Sequence, residues 1–155
     1  LPTLQDSPAP IVIRFRGETT DGKTRTYPDD ARGKALVLVV GLTQKSAKAT
    51  DEWSTDFQTH VGARATIVGV AVLDRVPGFV RGIVKKAIDK DVGPPTPGEA
   101  GFVTTFDGSA LRAGAPAGNA DDPVIYVFRA DGSVASIVRE PYSPAAAKRI
   151  EGELP

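Results

Sequence analysis

DDPVIYVFRADGSVASIVRE, residues 121–140, holds two β-rich runs on either side of a turn. Pro123 to Arg129 and Ser133 to Arg139 are dense in β-branched and aromatic residues, and Ala130-Asp131-Gly132 between them is a hairpin signal. Strands joined so tightly must run antiparallel, since a parallel partner needs a crossover of about a dozen residues or more. Beyond them, Ser143 to Leu154 predicts a closing helix with Ser143 as its cap and Pro144 in its first turn.

Upstream the pattern changes. Ala35 to Val40 is apolar throughout, as a central strand covered on both faces requires. Trp53, Phe57 and Val61 recur at intervals of four, which predicts an amphipathic helix stopped by Gly62. Ala65 to Leu73 reads as a second apolar strand. After Pro77-Gly78, a second helix carries Phe79, Ile83, Val84, Ala87 and Ile88 until the breakers Gly93, Pro94, Pro95, Pro97 and Gly98 end it. Strand, helix, strand, helix implies parallel strands with right-handed crossovers, so the later hairpin makes the sheet mixed. Near the start, Ile11 to Arg16 and Lys23 to Tyr27 flank Asp21-Gly22 and predict an N-terminal hairpin. Residues 1–10 read as a flexible arm and 11–155 as a single α/β domain, a central mixed β-sheet flanked by helices.

Composition excludes several chemistries. Nineteen basic against 19 acidic side chains give no electrostatic bias toward nucleic acid or an anionic membrane. The chain has no cysteine, which removes disulfides, thiolate metal sites and thiol catalysis at one stroke. No apolar run approaches the ~18 to 20 residues of a membrane span, so membrane insertion is not expected and the chain reads as soluble. It begins Leu1-Pro2-Thr3, which fits a secreted protein after signal removal or a trimmed chain.

The order of elements resembles the thioredoxin fold. Within DDPVIYVFRADGSVASIVRE, Pro123 falls at the family's cis-proline, followed by its two antiparallel strands. FVTTFDGSALRAGAPAG, residues 102–118, is similar to the strand, Asp-Gly turn and short helix inserted before that proline in the peroxiredoxin-like and periplasmic thiol-reductase branches. The resemblance covers residues 33–154 and implies that the Cys-x-x-Cys pair of the family falls on Ser46-Ala47-Lys48-Ala49, with both thiols gone; a one-residue shift to Lys45 or Ala47 gives the same result. Ser46-Ala47-Lys48 and Val76-Pro77-Gly78-Phe79-Val80-Arg81 are also similar to segments of the bacterial periplasmic YtfJ-like family, thioredoxin-like proteins without the redox pair. Both resemblances imply a periplasmic or secreted location.

The candidate site lies where Val40 runs into TQKSAKAT, residues 43–50, because a helix start offers unpaired N–H groups to a ligand. Ser46 is read as a helix cap rather than a nucleophile, since no base is near it in sequence. Lys45 and Lys48 are either a solvated basic surface or an attraction for a carboxylate or phosphate. His60, the sole histidine, reads as an ordinary helix residue; without a second histidine or a cysteine no metal site is expected, and no cofactor. Asp29-Asp30, Asp51-Glu52 and Asp121-Asp122 read as local hydrogen-bond acceptors beside turns and helix starts. Val92 to Gly101 is a plain linker, a mobile lid or a partner-contact loop.

These readings predict a redox-inactive binding or scaffold protein of the cell envelope, a monomer or weak dimer whose partner is a protein or a small anion. Its expected face comprises Lys45, Ser46, Lys48, Asp122 and Pro123, the last two joined by a cis bond. The alternatives are a non-thiol enzyme, such as a Ser-assisted transferase, on the same face, and an accessory subunit of an envelope complex.

Overall fold

A computed structural model describes residues 12–155; the arm expected over 1–10 lies outside the described residues. Seven strands form one sheet: β1 (Phe15–Thr19), β2 (Thr24–Tyr27), β3 (Ala35–Gly41), β4 (Ala65–Val72), β5 (Gly101–Thr105), β6 (Val124–Phe128) and β7 (Val134–Arg139). Among the described residues the helices are α1 (Ala47–Val61), α2 (Arg81–Val92), α3 (Ser109–Ala113) and α4 (Pro144–Gly152). The strand order is β2-β1-β5-β4-β3-β6-β7. β3 pairs parallel with β4 and antiparallel with β6, and β4 pairs parallel with β5.

Every residue of β3 is buried, because strand alternation sends its apolar run to two different cores. Leu36, Leu38 and Val40 join Phe15 and Tyr27 of the hairpin, Leu111 of α3, and Tyr126 and Phe128 of β6. Val37 and Val39 face the other way, onto Trp53, Phe57 and Val61 of α1 and Ala146, Ala147 and Ile150 of α4. Trp53 and Phe57 are wholly buried and stack with ring centroids 5.5 Å apart. Burial of each such side chain contributes about 1.5–3 kcal/mol, so Phe57→Ala alone would cost about 3–5 kcal/mol.

Local signals set the ends. Ser143 caps α4 by accepting the Ala146 N–H at 3.0 Å, and Pro144 follows in the first turn, as predicted. Gly132, at φ 90°, adopts the left-handed conformation that closes the β6–β7 hairpin. The N-terminal hairpin forms, but its first strand is Phe15–Thr19 rather than 11–16. Thr19 closes the turn by receiving Gly22 N–H and donating to the Lys23 carbonyl, which draws the strand toward it. Ile13 is instead a buried core residue ahead of the strand.

The second helix forms with a different environment from that its apolar residues suggest. No residue of α2 is buried; Ile83 is 71% exposed, and Phe79, in the 3-10 turn that leads into the helix, is 88% exposed. Spacing reveals an apolar face but not whether another element covers it.

Candidate functional site

Parallel β3 and β4 both end at one edge of the sheet, where the chain turns into α1 and α2. Past Gly41 and Leu42, Thr43 is extended at φ −134° and ψ 163°, and Gln44–Ser46 makes a 3-10 turn that runs straight into α1. A Cβ on Gly41 would meet Thr50 Oγ1 at 3.0 Å and Ser46 Cβ at 3.2 Å, so glycine is what lets the first turn of α1 sit on the strand end.

Ser46 is not the predicted cap. Its backbone is already helical (φ −74°, ψ −14°), its side chain makes no capping bond, and it is 0% exposed. A cap needs an extended residue whose oxygen points back at the helix N–H groups. Instead Ser46 Oγ donates to the Asp121 carbonyl at 3.0 Å. Thr43 Oγ1 donates to Asp121 Oδ1 at 2.8 Å, and the two hydroxyl oxygens lie 3.0 Å apart. Asp121 is held in turn by Asn119, whose Oδ1 accepts the Asp121 N–H at 2.9 Å. The loop before β6 is thus clipped to the loop after β3.

Lys45, on this turn, and Lys48, at the start of α1, are exposed; Asp122 is half-buried and Pro123 is buried. The structure therefore brings the expected residues to one edge, while the side chains that join the two loops are Thr43 and Asp121. The sequence reading has Thr43 within the candidate loop and Asp121 as a local acceptor, but not as partners, because 78 positions of sequence separate them. The expected cis bond at Asp122-Pro123 is absent; among the described residues the cis peptide is Tyr27-Pro28. Trans is the intrinsically favoured X–Pro state by ~0.5–1 kcal/mol, and here the contact with the opposite loop is made by Asp121, two positions before the proline.

Each hydroxyl carries one proton, so the Thr43 and Ser46 protons are both committed to Asp121. His60 sits near the far end of α1, at ~1.5 Å per residue about 20 Å away. Among the described residues no histidine or carboxylate is hydrogen-bonded to Ser46 Oγ, and the chain has no thiol. What the edge offers is charge and surface.

Two further groups lie at this edge that the sequence reading does not assign to the site. Arg112 of α3 grips Asp74 through two parallel contacts, Nε to Oδ2 at 2.9 Å and Nη2 to Oδ1 at 2.8 Å, and Nη2 also reaches the Leu42 carbonyl at 3.4 Å. That guanidinium holds the Asp74 carboxyl below the usual carboxylate range. Phe79 and Ile83 project from the start of α2 on the same edge. Two surface cavities lie elsewhere, one of about 660 Å³ along the N-terminal hairpin and one of about 340 Å³ beside the middle of α1.

At the opposite end of α1, His60 is the exposed helix residue expected, and it meets Asp56 and Glu151. An i, i+4 Asp–His pair was visible in the sequence; the partner from α4 was not. Among the carboxylate pairs, Asp30 Oδ2 accepts the Thr26 N–H at 2.7 Å, the local role predicted for it.

Several solved structures share this architecture. A lipoprotein thioredoxin of Streptococcus pneumoniae has a TM-score of 0.64 at 16% identity, covering 91% of this chain and 99% of its own. The thioredoxin domain of a Bacteroides vulgatus thiol-disulfide oxidoreductase gives 0.62 at 19%, covering 96% of this chain and 100% of its own. A DsbF homologue of Corynebacterium diphtheriae gives 0.62 at 19%, covering 94% and 87%. No family model and no curated relative matches the chain, so the narrower YtfJ-like resemblance stays an expectation. At these identities the comparisons establish the fold, which is thioredoxin-like, built here without any cysteine.

Proposed function

We propose that this thioredoxin-fold chain is a redox-inactive binding or scaffold protein of the bacterial cell envelope, and that it engages a protein partner through the edge where β3 and β4 end. One observation carries the reading. The loop at that edge has no thiol and spends its hydroxyls on holding itself together, while Lys45 and Lys48 and the apolar Phe79 and Ile83 stand exposed around it. Exposed aromatic and aliphatic side chains beside a charged rim are the composition of a protein-binding patch. Ser46 supports this face through its bond to the Asp121 carbonyl, and Asp122 and Pro123 follow directly on that second loop.

The envelope assignment rests on the fold's company. The similar structures include an exposed lipoprotein and a secreted disulfide oxidoreductase of Mycobacterium tuberculosis. Among the described residues no helix is long and apolar enough to cross a membrane.

Affinity capture from an envelope extract tests the site, comparing the wild-type chain with Lys45→Glu/Lys48→Glu and with Phe79→Ser/Ile83→Ser. A specific partner retained by the wild type should be lost from both variants, whose melting temperatures should stay near the wild type because the altered residues are exposed. A partner that survives both changes and is lost when residues 92–101 are replaced would move the site to that loop.

A further inference from the structure

At the far end of α1, away from the proposed partner edge, three side chains of metal-binding type converge. Nδ1 of His60 lies 2.6 Å from Oδ1 of Asp56 one turn earlier and 3.3 Å from Oε1 of Glu151 on α4. These three atoms all fall within 4.8 Å of one another. Ligands at ~2.0–2.2 Å from a zinc ion sit roughly 3 Å apart, so the set needs only a small adjustment to close on one.

The surroundings suit a cation better than they suit the bare carboxylates. The side chains of Asp56 and Glu151 are each only 11% exposed, yet they sit beside each other with one imidazole for two acids. Oε2 of Glu151 is buried with no hydrogen-bond partner. Two shielded carboxylates thus face one imidazole, and the unpartnered Glu151 oxygen leaves donor capacity that a cation would take up.

An entry and a supporting shell are also present. The cavity of about 340 Å³ beside α1 is lined by Asp51, Glu52, Asp56, His60 and Tyr142, an acidic approach for a positive ion. His60 is 59% exposed on its side chain, which leaves the outer side open to water. Tyr142 donates its hydroxyl to Asp56 Oδ2 at 2.5 Å, orienting Oδ1 toward the imidazole in the way that outer-shell partners orient metal ligands. Arg64 opposes binding: it donates to the Glu151 backbone carbonyl at 3.4 Å, and its charge is felt by the carboxyl.

We propose that Asp56, His60 and Glu151 bind one divalent transition-metal ion, joining α1 to α4. One imidazole and two carboxylates form a borderline to hard donor set, for which Zn²⁺ is the best match and Mn²⁺ the next, whereas Ca²⁺ and Mg²⁺ gain little from the imidazole.

The chain has a single histidine and no cysteine, so an imidazole-dependent signal reports this site alone. The test is calorimetric titration of the tag-free protein with ZnCl₂, read in parallel by Trp53 fluorescence, since Trp53 packs against Tyr142 with ring centroids 5.4 Å apart. One Zn²⁺ per chain is expected, with binding weakened at least tenfold by His60→Ala, His60→Gln and Glu151→Gln, and about tenfold by Tyr142→Phe. Zn²⁺ should raise the melting temperature of the wild type and not of His60→Gln, which serves as the conservative variant if His60→Ala is poorly folded. Equal Zn²⁺ titration of wild type and His60→Gln would overturn the proposal. So would variants that lower the metal-free melting temperature without changing its response to Zn²⁺, for then the three side chains are only a clasp between two helices.

Discussion

Ser46, on the turn into α1, and Asp121, before β6, are joined by a hydrogen bond of 3.0 Å that spans 75 positions of sequence. The donor is fully buried, and the acceptor is the backbone carbonyl of a half-buried residue. With the parallel bond from Thr43, it fixes the two loops that frame the edge of the sheet.

Ser46→Ala should therefore destabilise the protein by about 1–3 kcal/mol, the cost of leaving a shielded carbonyl unpaired. Ser46→Trp should prevent normal folding, because Gly41 and Thr50 already crowd this corner and nothing there can move aside for an indole. Urea unfolding followed through Trp53 measures both. An unchanged midpoint for Ser46→Ala would show that the bond contributes nothing to stability.

Much of this edge could be read from the sequence. β3 was legible because its apolar run feeds two cores, and α1 because Trp53, Phe57 and Val61 mark one face. The role of Ser46 was not, since cap preference describes a residue type, while the turn at Gln44–Ser46 had already made its backbone helical. Likewise, Asp122-Pro123 carried a family resemblance but not the contacts that decide a proline isomer. The Thr43–Asp121 and Arg112–Asp74 pairs are tertiary facts, and no periodicity encodes them.

Thr50→Val should stabilise the protein by about 1 kcal/mol. Thr50 Oγ1 is buried on the sheet-facing side of α1 with no hydrogen-bond partner, 3.0 Å from where a Cβ on Gly41 would be. Replacing the hydroxyl with a methyl group of similar size removes an unpaired polar atom while keeping the packing. A fall in the urea midpoint would mean that the hydroxyl has a partner, such as a bound water.

The purified protein should show no thiol-dependent turnover in insulin reduction or in peroxide removal. Thiol–disulfide exchange proceeds through attack by a thiolate, and the chain contains none. The informative control is a preparation verified free of contaminating reductase; turnover that persists in it would require a chemistry that the site does not contain.

Arg112 and Asp74 give the stability of this edge a pH dependence at the acid end. Both side chains are 20% exposed, and the guanidinium both bonds to the Asp74 carboxylate and lowers its pKa from the ordinary 3.8. A carboxyl whose folded pKa is depressed contributes stability that is fully present above its unfolded pKa and is lost as pH falls through the folded value. The contribution should therefore be constant near neutral pH and disappear below about 3.8. Partial exposure screens the pair, so its removal is expected to cost about 1–2 kcal/mol near neutral pH. Asp74→Asn should show that loss near neutral pH, and its urea midpoint should converge on the wild type as the solution is acidified, which cancels the effects of other carboxylates in the difference. Arg112→Lys should fall short of the wild type as well, because an ammonium can replace the charge but not the two parallel contacts to Asp74 and the reach to the Leu42 carbonyl. A difference between wild type and Asp74→Asn that stays constant from neutral to strongly acidic pH would show that the asparagine acts through packing, and that the ion pair contributes nothing to the edge.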